Sequence, residues 1–443
     1  MRCFSLLTSL LMMAIYSWSQ VPDYSLVGFA TLNGGTTGGE GGAEVTVSNY
    51  AELKQFAEQS SDTPYIIYLD GTITGTGTVA GGNYDGSIEV QSNKSIIGLD
   101  SMAFLDGVGL TLSGGSNIII QNLKISFISI AEAVPEGSHD IPGIYSEFGD
   151  EGRAQILVNG GDLISVKGES RNIWIDHCEL FSEDPAVQPN KDLYDGLIDI
   201  KHQTGFITIS WCYFHDHYKV HLIGANDTDL YQDRKITFHH NRYENVNSRL
   251  PYYRGAVGHV FNNYIHNGLG SCVNTRLEAC VRVEKNYFET SKNPVMTSDS
   301  GLAERIDNKE VNCTYTAPYP GNCTASLGYT YDHVLTSNVD DVKNIVMRYA
   351  GVGKLETEDT VDLLVEEVMD ILVYPNPIGE KLYISSSLSQ EIYIELTDML
   401  GQVVLNRNIS GSDYINLSNL ERGVYMMTLV CGNNKSIRKI IKK

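Results

Sequence analysis

Basic residues are scarce in this chain relative to acidic ones. Its 443 residues include 32 Lys and Arg against 54 Asp and Glu, which gives a formal net charge of -22. Nucleic acids and anionic membranes are bound by basic surfaces, so this balance argues against both as partners. A polyanionic ligand would require either a bridging cation or a local basic cleft.

Long hydrophobic runs are also rare. The run over residues 4–15 follows Arg2 and precedes a small-x-small cleavage pattern, SWS, at residues 17–19. This arrangement is typical of a secretory signal peptide over residues 1–20, and it predicts a secreted protein. The alternative is a membrane anchor, but the run is short for a bilayer span, and no later segment qualifies as transmembrane.

Cysteine is infrequent, and the predicted mature chain has an odd number of cysteines. Cys3 is removed with the signal peptide, so seven of the eight cysteines remain, an odd count for an oxidising compartment. Proximity in the sequence predicts three pairs and leaves Cys431 over: Cys272–Cys280, Cys313–Cys323 and, as a third candidate, Cys178–Cys212.

The sequence shows no amphipathic helices between the predicted strands of its central region. These strands instead follow one another in a repeat. Five segments of alternating apolar residues end in Cys or Asn, at positions 178, 212, 241, 263 and 286. The steps of 34, 29, 22 and 23 residues fit a coil of about 22 residues with loops inserted in the earlier coils. Parallel strands buried on one side require a solenoid or an α/β fold, so the missing helices favour an all-β solenoid. Asn241, Asn263 and Asn286 predict a ladder of side-chain amides, although Asn also marks turns.

A helix is predicted to cover the N-terminal end of this solenoid, because open ends need capping. It runs over residues 49–59 and is capped by Ser48. Its apolar face is formed by four residues: Tyr50, Leu53, Phe56 and Ala57.

The composition changes after Lys354, where the solenoid predicted for residues 21–354 ends. Residues 355–370 hold seven acidic residues and no basic ones, which is typical of a solvated linker. Residues 371–443 contain short alternating strands and a basic end, which predict a small β-sandwich-like module.

A second set of strands carries charged residues through the same coils, over residues 162–166, 195–200, 219–223 and 249–254. Because side chains alternate along a strand, Asp199 and Lys219 are predicted to point outward. Val220 and Leu222 are predicted to point inward. Coils stack about 4.8 Å apart, so six charged residues would share one outer face: Asp162, Asp195, Asp199, Lys219, Arg249 and Arg254.

The three carboxylates of this face are hard oxygen ligands that suit Ca2+, and the three cations suit carboxylates of a ligand. The alternative is a salt-bridged, solvated face of little energetic value. Histidines offer a zinc alternative. Four of them are better explained as packed or hydrogen-bonded residues of the coils: His215, His217, His239 and His240.

Three ordered motifs accompany these residues: NIWIDHCEL over 172–180, YDGLIDIKHQTGFITISWCYFHDHYK over 194–219 and TFHHNRYENVNSRLPYYR over 237–254. They resemble the signatures of the pectate lyase family, polysaccharide lyase family one. The segment GFATLNGGTTGGEGG over 28–42 is also similar to that family. The resemblance extends over about residues 25–300.

The resemblance implies a right-handed, single-stranded parallel β-helix and an enzyme that cleaves polygalacturonate by calcium-assisted β-elimination. We expect this enzyme to be a monomer. Pectin lyases of this family lack the calcium carboxylates, so the implied substrate is de-esterified pectate. The implied site comprises the calcium ligands Asp162, Asp195 and Asp199, the catalytic Arg249, and the substrate-carboxylate ligands Lys219 and Arg254. The alternatives are a β-helix polysaccharide hydrolase, which needs two carboxylates flanking the bond, and a non-catalytic sugar-binding adhesin.

The C-terminal module resembles the type A sorting domain of type IX secretion in Bacteroidota. The likeness lies in YPNP at 374–377, GVY at 423–425 and KIIKK at 439–443. It implies the type IX secretion machinery as a partner and an extracellular or cell-surface location. A small carbohydrate-binding module is the alternative.

Overall fold

The computed structural model describes residues 22–75, 79–80, 83–84, 86–133, 161–187, 191, 193–317, 321–355, 371–374, 378, 380–386, 391–398, 402–411, 413–431 and 434–442. The predicted signal peptide and nearly all of the predicted acidic linker lie outside these residues. The chain forms two compact units, Met1–Thr357 and Glu358–Lys443. In the described part, no helix has both the length and the apolar character that crossing a bilayer demands.

The first unit is built from stacked coils whose strands pair in parallel. One strand per coil joins the first sheet, in the order Ala43–Val47, Tyr65–Leu69, Lys94–Gly98, Ser116–Gln121, Arg171–Asp176, Gly205–Ser210, Lys235–His239, Val257–Phe261, Cys280–Glu284 and Leu302–Ile306. All these pairs are parallel and follow chain order, so the predicted parallel β-helix is confirmed.

The other strands of the coils form two columns, which join in the long strand Tyr213–Ile223. The second column contains Thr72–Thr74, Phe104–Asp106, Lys124–Ser126, Glu179–Phe181, the start of Tyr213–Ile223, Arg242–Ser248, Tyr264–Gly268, Tyr287–Glu289 and Lys309–Val311. The third, called the site column below, contains Ser87–Glu89, Gly109–Ser113, Ile164–Lys167, Gly196–Ile200, the end of Tyr213–Ile223, Tyr252–Arg254, Val273–Arg276 and Val295–Thr297.

The interior of the coils is a continuous apolar core. Ile164, Ile198, Ile209 and Val260 come from different coils, and each is at most 1% exposed. Every coil buries its inward side chains against those of the next, and this burial supplies the main driving force for stacking.

The predicted asparagine ladder is present and extends one coil further than predicted. Asn241 donates its amide to Asn263 at 3.0 Å, Asn263 donates to Asn286 at 2.9 Å, and Asn286 donates to Asn308 at 2.9 Å. At its other end, the backbone N–H of Cys212 donates to the Asn241 side chain at 2.9 Å. These buried amides satisfy one another at the turn that ends each first-sheet strand.

The disulfide in the described residues joins Cys280 to Cys323, so the predicted Cys272–Cys280 and Cys313–Cys323 bridges are wrong. Cys280 begins a strand of the first sheet, and the bridge between Leu302 and Gly321 brings the later chain beside the neighbouring strand, Leu302–Ile306. Proximity in the sequence did not predict the disulfide because residues that are neighbours in the sequence lie on different faces of a coil.

The other cysteines whose side chains are described form no disulfide. Cys272 precedes a strand of the site column, and Cys313 follows a strand of the second column. Cys178 and Cys212 are fully buried in neighbouring coils without a disulfide, so that candidate pair is wrong too. The Sγ of Cys212 accepts the backbone N–H of Cys178 at 3.4 Å, as a ladder amide would. The side chain of Cys431 lies outside the described residues.

The predicted end helix is present as Tyr50–Ala57, with a different cap. Asn49, rather than Ser48, is the N-cap, because its side chain accepts the N–H of Glu52 at 3.0 Å. Leu53 and Ala57 are fully buried, as the amphipathic pattern predicted. The remaining helices of the described residues are Ile128–Ala133, Val339–Tyr349 and the short 3-10 helix Phe29–Thr31. Val79–Ala80 pairs antiparallel with Asn83–Tyr84.

The second unit is a small antiparallel β-sandwich, as predicted. One sheet contains Ile371–Tyr374, Lys381–Ser386 and Asp413–Asn416, and the other contains Val403–Ser410, Glu391–Asp398, Gly423–Cys431 and Asn434–Lys442. Side chains from both sheets share one core, which includes Leu382, Ile415, Ile394 and Met427.

Candidate active site

Three carboxylates meet on the outer side of the site column. Asp162 precedes the strand Ile164–Lys167, Asp195 precedes Gly196–Ile200, and Asp199 lies within that strand. One carboxylate oxygen from each lies within 4.8 Å of the other two. Gly196 makes this approach feasible, because a Cβ there would lie 2.2 Å from Asp199 Oδ1 and 3.1 Å from Asp162 Oδ1.

The cluster is much less exposed than an outer face suggests. Asp162 and Asp199 are fully buried, and the side chain of Asp195 is 26% exposed. Burial raises the pKa of both Asp162 and Asp199, and repulsion adds to this rise, from Asp199 at Asp162 and from Asp195 at Asp199. At Asp195 burial acts in the same direction, but the Lys219 ammonium, 2.8 Å from Oδ1, outweighs it and lowers the pKa.

Lys201 belongs to this cluster, although sequence reasoning missed it. Its Nζ lies 2.8 Å from Asp162 Oδ2 and 3.2 Å from Asp199 Oδ2, and the latter oxygen is buried without a hydrogen bond. Burial disfavours the charge of Lys201, yet the two carboxylates hold its pKa above the ordinary value. The signal was available, since Lys201 follows Asp199 by two residues and alternation puts both on the same side.

The alternation of inward-pointing and outward-pointing side chains is interrupted at the corner where the second column meets the site column. Leu222 pairs in register with Asp199, so it lies on the outer side, and the prediction that it points inward is wrong. His221 pairs with Ile198 and packs inside against Phe214 and Phe238. Strict alternation fails because the single strand Tyr213–Ile223 bends from one column into the other.

His217 supports the carboxylate cluster from behind. Its Nε2 lies 3.1 Å from the backbone oxygen of Asp195, and its Nδ1 lies 2.6 Å from Ser182 Oγ. Burial lowers the pKa of His217 to about 4, so the ring is neutral at neutral pH. Like His239 and His240, it is buried and hydrogen-bonded, as predicted for the histidines of the coils.

A cationic strip continues from the carboxylates along the site column. Arg249 lies in the turn before Tyr252–Arg254 and has a left-handed backbone, with φ of 68°. The ring of Tyr252 is 5.9 Å from the Arg249 guanidinium and 4.6 Å from that of Arg254. The Arg249 charge also lowers the pKa of Asp195 and counteracts the rise at Asp199. Both guanidiniums therefore lie near one aromatic ring, and Arg249 is also close enough to the acids to shift their pKa values.

Arg276 extends this strip by one coil, and sequence reasoning missed it as well. It pairs in register with Arg254 and donates to the hydroxyl of Tyr252. Its guanidinium also forms an ion pair with Asp299. The stacked register explains the position, because equivalent residues of successive coils lie side by side.

The donor set of the carboxylate cluster fits a hard divalent cation. It offers carboxylate oxygens alone, without a sulfur or imidazole ligand among the clustered groups. Two of its acids carry raised pKa values that an added positive charge would relieve. Beside it, the strip offers guanidinium and ammonium groups to anionic ligands.

A parallel β-helix with acids and cations side by side on one outer face defines a class of proteins suited to acidic polysaccharides. The sequence model described as pectate lyase matches residues 4–355, and the chain belongs to that family. Residues 372–443 match the model of the secretion system C-terminal sorting domain. Both resemblances drawn from the sequence motifs are thereby confirmed.

Individual relatives agree with this membership. The chain is 40% identical over 339 residues to a pectate trisaccharide-lyase of Bacillus licheniformis, which covers 75% of this chain and 88% of that protein. It is 36% identical over 315 residues to pectate lyase A of Aspergillus niger, with 70% and 84% covered.

Solved structures show the same likeness. A pectate lyase of Bacillus sp. N165 in complex with trigalacturonate aligns with a TM-score of 0.61 and 30% identity over 75% of this chain and 100% of that one. Pectate lyase II of Xanthomonas campestris aligns with a TM-score of 0.57 and 27% identity over 74% and 98%. The protein is thus an enzyme, a pectate lyase, and its sorting domain directs it to secretion.

Proposed function

We propose that the enzyme is a calcium-dependent lyase that cleaves de-esterified polygalacturonate by β-elimination and releases 4,5-unsaturated oligogalacturonides. The observation that carries this proposal is the cluster of Asp162, Asp195 and Asp199 within 4.8 Å of one another, directly beside the cationic strip. It is also supported by the relative named a pectate trisaccharide-lyase and by the similar structure that contains trigalacturonate.

We assign Asp162, Asp195 and Asp199 to calcium, and Lys219 and Arg254 to substrate carboxylates. When bound, calcium supplies positive charge that neutralises the substrate carboxylate next to C5 and stabilises the developing negative charge. A methyl-esterified carboxyl group carries no negative charge that a cation could link to the carboxylates of the enzyme. This supports de-esterified pectate as the substrate.

We assign proton abstraction to Arg249, as the family resemblance implies. The proton on C5 lies α to a carboxylate, which is a poor activating group when ionised. Arg249 in its neutral form removes this proton and becomes positively charged, the electron pair of the C5–H bond forms the C4–C5 double bond, and the C4–O bond breaks. The leaving oxygen takes a proton from solvent. Arginine holds its proton up to high pH, so the rate should rise into the alkaline range.

Product absorbance tests this proposal against the hydrolase and adhesin alternatives. A lyase gives an unsaturated product that absorbs ultraviolet light, a hydrolase gives a saturated product, and an adhesin gives none. We expect ultraviolet-absorbing product from polygalacturonate, no product in excess EGTA, and recovery on adding calcium. Full activity in EGTA would refute the calcium assignment while leaving the lyase assignment intact.

We further propose that the acidic segment 355–370 separates a self-sufficient catalytic part, residues 21–354, from the sorting module, residues 371–443. The two units have separate apolar cores, which supports independent folding. A protein ending at Lys354 should fold and cleave pectate, and the intact mass of secreted material should lack the sorting module. Loss of folding in the truncated protein would show that the module is part of the catalytic structure.

A further inference from the structure

The loop between the strands Tyr213–Ile223 and Lys235–His239 places an acid against the cationic strip. The Oδ1 of Asp227 accepts a hydrogen bond from Arg254 Nε at 3.0 Å and lies 3.9 Å from Arg276 Nη1. The Asp227 side chain is 62% exposed, whereas those of Arg254 and Arg276 are 13% and 22% exposed. One exposed carboxylate of the enzyme thus contacts two largely covered guanidiniums.

A buried network fixes the position of this loop. Asp229 accepts the backbone N–H groups of Ala225 at 2.7 Å and His202 at 2.8 Å, and it pairs with Arg234 at 2.7 Å. Arg234 is fully buried and also donates to the backbone oxygen of Arg254 at 3.3 Å. The loop is therefore tied to the end of the strand that carries Arg254.

The same loop uses a second donor of Arg254. Arg254 Nη1 donates to the backbone oxygen of Gly224 at 2.8 Å, while Nε is held by Asp227. A guanidinium has five N–H donors, and its strongest contacts are bidentate with a carboxylate. A substrate carboxylate that forms a bidentate pair through Nε must first displace Asp227.

We propose that Asp227 is a specificity-determining residue, an internal carboxylate that occupies Arg254 and Arg276 until a galacturonate carboxylate of the substrate displaces it. This inference rests on the proposed function, because it takes pectate as the ligand of the strip. An ionised uronate exchanges one carboxylate for another. A neutral methyl ester offers no equivalent ion pair and leaves Asp227 in place, so Asp227 weakens binding of pectate more than binding of esterified substrate and limits the preference for pectate.

The test compares KM and kcat of the wild-type enzyme with those of Asp227→Asn on polygalacturonate and on methyl-esterified pectin, at low and high salt. We expect Asp227→Asn to lower KM for polygalacturonate by about two- to fivefold at low salt, as for loss of one partly exposed ion pair. The gain should shrink at high salt. KM for methyl-esterified pectin should change less, so the ratio of its KM to that for polygalacturonate should increase.

Asp233→Asn is the matched control, because Asp233 is 64% exposed and pairs with Lys235 at 3.4 Å, outside the strip. Calorimetric titration with trigalacturonate measures binding directly and should show tighter binding for Asp227→Asn alone. An increased or unchanged KM in Asp227→Asn would overturn the inference, and an increase would instead show that Asp227 orients Arg254. Absence of unsaturated product from the wild-type enzyme would refute the proposed function itself.

Discussion

Lys201 Nζ lies 2.8 Å from Asp162 Oδ2, inside the cluster of carboxylates that we assign to calcium. Asp162 is fully buried and Lys201 is 19% exposed at its side chain, so this pair neutralises charge that solvent reaches poorly. The ammonium and a calcium ion would therefore compete for the same oxygens.

Lys201→Met should weaken the protein without calcium and tighten its binding of calcium. Removing one partner of a buried ion pair typically costs about 3 kcal/mol or more, and bound calcium should recover most of that loss. Urea unfolding in EGTA and in calcium measures both effects. Lys235→Met, which removes the half-buried partner of the exposed Asp233, is the control. Equal stability of Lys201→Met and wild type in EGTA would contradict the prediction.

Asp199→Asn should fold normally and lose the stabilisation by calcium. The folded-state pKa of Asp199 is raised above its unfolded value, so its ionisation costs stability as pH rises through that interval. The neutral amide avoids this cost and can still accept the N–H of Leu222, now 3.1 Å from Oδ1. In EGTA at pH 7 the variant should be at least as stable as wild type.

Calcium supplies the second measurement on this variant. At a concentration 100 times the dissociation constant, calcium should stabilise the wild-type enzyme by about 2.7 kcal/mol. The gain in melting temperature should be much smaller for Asp199→Asn, and half-maximal activity should require more calcium. An unchanged calcium response would remove Asp199 from the ligand set.

Arg249→Lys should lose most of kcat, although the positive charge is retained. Lysine differs in reach and lacks the planar fork, so it cannot take the proton from the same position. Arg254→Lys, whose guanidinium lies 4.6 Å from the centre of the Tyr252 ring, should mainly raise KM, as expected for a binding residue. Steady-state kinetics and circular dichroism on both purified variants test this. A kcat of Arg249→Lys within about threefold of wild type would place the base elsewhere.

Mild acid should destabilise the β-helix through its buried histidines. Burial lowers the pKa of His217 to about 4 and of His221 to about 3, from an ordinary value of 6.5. Unfolded chains take up these protons below pH 6.5 and the folded protein does not. The contribution of these two histidines to the free energy of unfolding is thus fully present above pH 6.5, and it is lost progressively as the pH falls toward 4 for His217 and 3 for His221. At pH 5 the loss is about 2 kcal/mol per histidine. His215 opposes this trend, because its hydrogen bonds to Asp216 and Glu179 outweigh burial and raise its pKa.

His221→Phe isolates one of these contributions. The ring packs against Phe214, Phe238 and Tyr243, and its Nδ1 has no hydrogen bond. Phenylalanine should therefore fit, at the cost of the 3.3 Å contact between Nε2 and the Tyr243 hydroxyl. We expect a smaller loss of unfolding free energy between pH 7 and pH 5 than in wild type. His266→Gln, at a side chain that is 37% exposed, should leave the loss unchanged. Identical pH dependence of His221→Phe and wild type would contradict the prediction.

The repeat made the architecture predictable from the sequence. A spacing of about 22 residues forces equivalent residues into adjacent coils, so the ladder of Asn241, Asn263 and Asn286 followed directly from their common register. The same stacking brought Asp162, Asp195 and Asp199 together from two coils, as predicted. Their roles, with those of Lys219, Arg249 and Arg254, stay predictions.

Tertiary structure alone decided what happens at the corners of the coil and between distant segments. Strict alternation placed Leu222 inward, but the bend in Tyr213–Ile223 turns it outward and places His221 in the core. The Cys280–Cys323 disulfide, likewise, depends on where the chain returns after the last coil.

Burial of the acidic cluster was a further tertiary effect. Asp199 points away from the core yet is fully buried, because neighbouring coils and Lys201 cover it. Periodicity specifies the direction of a side chain within its own strand and its nearest neighbours in the stack. It carries no information on what a loop such as that of Asp227 lays over that face, because the path of a loop depends on contacts remote in sequence.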